Sequence, residues 1–106
     1  MNYTKVKFEI YLPLTHIDKL REAINNTGAL TIGKYDNCIS TTEVKGYFKP
    51  LEGARPYSGK VNNLSIEDEI KMEFSCHKDL AIEVINVIKA IHPYEEPVYN
   101  IIPVIN

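Results

Sequence analysis

The sequence predicts an α+β fold of ferredoxin-like order, βαββαβ, with two helices on one face of a four-stranded antiparallel sheet. Three observations carry this reading. Two segments alternate apolar and polar residues strictly, and two others show apolar stripes at helical spacing. The patterns follow one another in that order within 106 residues, a length suited to one domain over residues 1–106.

The first strand is read over Lys5 to Leu12, where Val6, Phe8, Ile10 and Leu12 share one face. Lys5, Lys7, Glu9 and Tyr11 share the other, the mark of a half-buried strand. Pro13 stops it. Thr15, three residues before Asp18, is read as the cap of a helix whose face is Ile17, Leu20, Ile24 and Thr27. Gly28 supplies its left-handed end, and Ala29 to Lys34 connects onward.

The second strand is read from about Asn37 to Phe48 on its β-branched run Ile39, Thr41, Thr42 and Val44, with Gly46 marking a bulge or an end. Lys49 to Lys60 carries two prolines and two glycines, so a long loop is expected. Loops of this length in compact domains are usually functional or disordered. Phe48, Leu51, Arg55 and Tyr57 favour the first.

Glu67 to Cys76 alternates as a third strand, with Ile70, Met72, Phe74 and Cys76 inward. The second helix, about Lys78 to Ile91, carries the wide stripe Leu80, Val84, Val87, Ile88 and Ile91 and ends at Pro93. The last strand, about Val98 to Ile105, is apolar on both faces. Its two-sidedness bears on the charged sheet face, where Lys5, Lys7 and Glu9 lie opposite Glu69, Lys71 and Glu73. That face is either solvated, with opposite charges paired across strands, or covered by another subunit.

Composition excludes several classes. The net charge of −2 lacks the basic footprint of a dedicated nucleic-acid binder. No apolar run approaches a membrane span, and the opening residues from Met1 do not read as a signal peptide, so a cytoplasmic protein is expected. Two cysteines are too few for a disulfide scaffold.

No catalytic centre is recognisable. Cys38 and Cys76 are the only thiols, and neither lies in a nucleophile motif; Cys76 keeps the inward parity of its strand. Ser58-Gly59-Lys60 lacks the spacing of a phosphate loop. Lys45-Gly46-Tyr47 begins like an RNA-recognition motif, but Phe48, Lys49 and Pro50 break the pattern. His92, Glu95 and Glu96 have the chemistry for a divalent metal ion. Alternatively, His92 complements the helix dipole and Pro93 and Pro97 shape a turn.

Two segments carry a resemblance. Gly46-Tyr47-Phe48-Lys49-Pro50-Leu51-Glu52-Gly53-Ala54-Arg55-Pro56-Tyr57-Ser58-Gly59 resembles the glycine- and proline-rich signature of the PII/CutA-like insert domain of YqfO-type (NGG1-interacting-factor-like) proteins. His92-Pro93-Tyr94-Glu95-Glu96-Pro97-Val98-Tyr99 resembles the later His-Pro-Tyr-Glu-Glu-Pro segment of the same domain. Order and spacing agree over essentially the whole chain. The resemblance implies a homo-oligomer, a trimer by analogy, whose sheets face inward. The dinuclear metal site of full-length YqfO-type proteins lies in lobes flanking this insert and does not carry over, and the nucleotide-binding segments of PII proteins find no match here.

The expectation is a non-enzymatic oligomeric module that senses a small ligand or metal, or engages a protein partner. Phe48, Lys49, Arg55, Tyr57 and Tyr94 are the candidate ligand residues, with Lys49 and Arg55 holding an anion and Tyr57 as a stacking surface. His92, Glu95 and Glu96 are the candidate metal ligands. Two further readings stand beside it: an auxiliary domain of a metal-dependent hydrolase whose catalytic lobes are on another chain, and a structural cap on another oligomer. The loop and the His92 segment either form a site or merely pack together.

Overall fold

The computed structural model describes residues 2–105; Met1, part of the opening stretch read above, lies outside them. The chain forms β1 (Lys5–Pro13), α1 (Ile17–Asn25), β2 (Ser40–Phe48), β3 (Ser65–His77), α2 (Ala81–Ile91) and β4 (Tyr99–Val104). The strands pair in the order β2-β3-β1-β4, all antiparallel, with β2 and β4 at the rims. This is the α+β ferredoxin-like arrangement the sequence predicts.

The alternation in β1 and β3 sets their register. Val6 faces Cys76, Phe8 faces Phe74, Ile10 faces Met72 and Leu12 faces Ile70, so all inward residues meet on one side. A one-residue slip would turn the whole set to solvent. Phe8 and Phe74 stack with ring centroids 5.2 Å apart. Leu20 and Ile24 from α1, with Val84 and Ile88 from α2, close the core without measurable exposure. Cys76 lies in it, and burial pushes its thiol pKa up.

Several expected boundaries shift. Thr15 does not cap α1: its hydroxyl bonds the His16 Nδ1 at 2.9 Å inside a 3-10 turn over Leu14–His16, and α1 has no side-chain cap. The helix ends at Asn25, two residues early, because Thr27 turns its Oγ1 back to the Ile24 carbonyl at 2.6 Å. Gly28 then takes the left-handed conformation, at φ +88°. Strand β2 starts at Ser40 and not Asn37, since Asn37 is itself left-handed (φ 57°) and donates its backbone N–H to Asn25 Oδ1. β3 is longer than expected at both ends, because β2 pairs with it from Ser65 and β1 pairs with it as far as His77. β4 is shorter than expected, at six residues.

On the sheet face away from the helices, the expected cross-strand charge pairing forms. The Lys7 ammonium reaches Glu73 at 2.5 Å, and Lys71 approaches the same carboxylate at 3.5 Å. Each charge favours the other, raising the Lys7 pKa and lowering that of Glu73. In β4, Tyr99 and Ile101 pack on the core, while Ile102 and Val104 lie beside Lys7 and Lys5 on the open face. Among the described residues no helix is long and apolar enough to cross a membrane.

Candidate functional site

The candidate side chains gather where β2, β3 and two irregular segments line one cleft. The first follows Phe48. Gly53, Gly59 and Asn62 all take positive φ, which lets residues 49–64 double back. The Asn62 N–H closes this loop on the Pro50 carbonyl at 2.7 Å, and the Ala54 N–H reaches the Leu51 carbonyl at 3.0 Å.

The second segment begins where α2 stops. His92 has extended backbone and is nearly buried. Its Nδ1 accepts the Tyr94 N–H at 3.2 Å, which places the ring proton on Nε2; that nitrogen donates to the Tyr11 carbonyl at 2.7 Å. Burial lowers the His92 pKa and keeps the ring neutral. The imidazole therefore rivets the turn after α2 to the end of β1.

Tyr94 stands at the junction of the two segments. Its ring centroid lies 5.9 Å from Tyr57, 6.2 Å from Phe48 and 5.0 Å from His92. Its hydroxyl donates to Glu69 Oε2 at 2.7 Å. Burial first, and then this bond to an acid, raise its pKa far above that of a free tyrosine. Glu95 Oε1 accepts the backbone N–H of Arg55 at 3.0 Å, a second tie between the segments.

Beneath them lies a cleft of about 540 Å³. Its walls are mostly apolar, supplied by Tyr11, Phe48, Pro56, Tyr57, Tyr94 and Val98, and its floor is Gly46 with Glu69. Gly46 neither bulges nor ends β2: it pairs regularly with Glu67 inside the strand. A Cβ at Gly46 would lie 1.9 Å from Glu69 Oε1, so glycine is what lets the carboxyl cross the neighbouring strand.

The structure brings most candidate residues together. Phe48, Lys49, Tyr57, Tyr94, Glu95 and Glu96 all line the cleft. Arg55 does not; it contributes its backbone N–H, and the residue is exposed. His92 stands behind the wall with both ring nitrogens engaged. As placed, His92, Glu95 and Glu96 form no coordination shell, and among the described residues no three His, Cys, Asp or Glu side chains converge as metal ligands require. Sequence reasoning missed Glu69, Gly46 and Tyr11. A glycine inside a β-branched strand was the one local signal, since Glu69 sits in the polar parity of β3 and reads as solvated.

The fold, the loop and the His92–Tyr99 segment are consistent with a CutA-like domain of the YqfO type. In sequence the chain is 40% identical over 98 residues to the GTP cyclohydrolase 1 type 2 homolog of Bacillus subtilis (strain 168), covering 92% of this chain and 26% of that protein. The homolog of Halalkalibacterium halodurans is 37% identical over 100 residues, covering 94% and 27%. The chain thus spans about a quarter of the length of the curated relatives it matches. Among solved structures, a Bacillus cereus protein related to NIF3 superposes with TM-score 0.83 at 31% identity, over 98% of this chain and 26% of that one. The CutA of Archaeoglobus fulgidus shares the fold with TM-score 0.71 at 19% identity, over 96% and 85%. No family model matches the chain.

Proposed function

We propose that this chain is a non-enzymatic, cytoplasmic binding module that self-associates, a trimer by analogy with CutA-like proteins, and takes a small ligand in the cleft between its loop and its His92 segment. One observation carries the reading. Two segments some forty residues apart are held by hydrogen bonds over a floor that includes a buried carboxyl, yet they leave about 540 Å³ between them. An open space of that size between the tied segments supports a binding site over packing alone. Cavities of this size, mostly apolar with a few converging polar groups, suit small molecules.

Lys49 at the rim is the one candidate for holding an anionic group of the ligand, since Arg55 stands outside the cleft wall. A divalent ion at His92, Glu95 and Glu96 requires His92 to release one of its two ring hydrogen bonds. A protein partner would meet the exposed loop.

A second reading follows from the quarter-length match: an auxiliary domain of a YqfO-type metal-dependent hydrolase system whose catalytic lobes are on another chain. Native mass spectrometry of the purified chain, with and without Zn²⁺, ATP and 2-oxoglutarate, tests both. A trimer carrying a stoichiometric adduct supports the binding module and names its ligand class. A bare monomer removes the trimer and leaves a protein partner as the better account.

A further inference from the structure

The acid on the cleft floor has no counter-charge. Glu69 is only 6% exposed, and among the described residues no Lys, Arg or His nitrogen lies within ion-pair distance of it. Tyr94 satisfies Oε2, whereas Oε1 has no donor among the described residues. Among the described residues no wholly buried side-chain nitrogen or oxygen lacks a partner, so Oε1 keeps some access to solvent. Removing a carboxylate from water without a cation is unfavourable, and such groups normally meet a positive partner.

The other charges around the cleft do not supply one. Its lining holds Glu69, Glu95 and Glu96 against Lys45 and Lys49, and Lys45 is turned to Asp68. Glu67, beside the floor, accepts from the Ser58 hydroxyl. The same cleft is lined by the rings of Phe48, Tyr57 and Tyr94, whose faces carry partial negative charge.

Resting on the binding reading above, we infer that the ligand of this cleft is a small organic ammonium, its charged nitrogen on Glu69 Oε1 and its apolar body in the cleft against the rings of Phe48, Tyr57 and Tyr94. The arrangement places one unpaired acceptor at the end of an aromatic-walled slot, which is how apolar cations are held in general. An anionic ligand would have to place its charge at Lys49, away from the floor.

The test uses phenethylammonium and 3-phenylpropionate, probes of similar shape and opposite charge, titrated into the ¹⁵N-labelled protein. Shifts of the Gly46, Tyr57 and Tyr94 amides by the ammonium, with affinity about tenfold or more above that for the carboxylate, are expected. Glu69→Gln keeps an acceptor for Tyr94 and should erase this preference. Equal or stronger binding of 3-phenylpropionate in the cleft overturns the cation inference and leaves the binding reading intact. No shift of these amides by either probe at millimolar concentration overturns both. The comparison within the unmodified protein stands even if the variant fails to fold.

Discussion

The carboxyl of Glu69 lies directly across Gly46, so close that a methyl group there would overlap its Oε1 at 1.9 Å. Two neighbouring strands are thereby fitted to each other on the face that carries the cleft. The Tyr94 hydroxyl fixes the carboxyl from above, so three separate stretches of chain converge on one acid.

Gly46→Ala must push that carboxyl aside. Because Glu69 is the end of a flexible side chain, the strands stay paired while the Tyr94 bond is broken. A loss of about 1–3 kcal/mol is expected in urea denaturation. Tyr94→Phe should cost less in this background than in the unmodified protein, since both changes remove the same bond. Full additivity of the two would refute the coupling.

Tyr94 should ionise well above the ordinary tyrosine value of 10. Its folded pKa is raised by burial and by Glu69, so the contribution to stability is complete below about 10 and declines as pH climbs through the folded value. Ultraviolet titration of tyrosinate should show a late component that vanishes in Tyr94→Phe.

His92 acts on the acid side. Its pKa in the fold is depressed below the ordinary 6.5, so the unfolded chain takes up the proton first. Stability is full above that value and falls as pH drops through the folded pKa. Histidine NMR should find His92 titrating below the ordinary 6.5. His92→Ala should lower stability at neutral pH by about 1–3 kcal/mol, by orphaning the half-buried Tyr11 carbonyl.

Phe8→Ala tests the core alone. It removes a stacked ring with no exposure and should cost about 3–5 kcal/mol in chemical denaturation while leaving the arrangement of the cleft unchanged in the surviving folded fraction. A loss under 1 kcal/mol would mean that the core relaxes around the cavity.

The fold was legible because its signals are periodic. Val6 to Leu12 and Ile70 to Cys76 declare one face each, and the stripes of α1 and α2 declare another. Half of the site was legible for a different reason: prolines and glycines exclude regular structure over Lys49–Lys60, and aromatic residues there and at Tyr94 need a surface to pack on. Glu69 was not legible. Its position in β3 is that of a solvated residue, and only the return of a distant loop buries it. For His92 the sequence leaves a metal ligand and a turn-shaping role both open, because the Nε2 bond that joins it to Tyr11 of β1 spans 81 residues and no local pattern encodes it.

The two rims of the sheet are unequal. β4 carries Pro103, which has no N–H to offer an incoming chain, and it spans only six residues. β2 runs nine residues from Ser40 to Phe48 with every backbone amide present. A strand arriving from outside finds a continuous ladder along β2 alone, guarded only by the side chains of Glu43 and Lys45. Edgewise growth of this sheet is therefore directional, and the rim where it can occur ends at Phe48, at the mouth of the cleft.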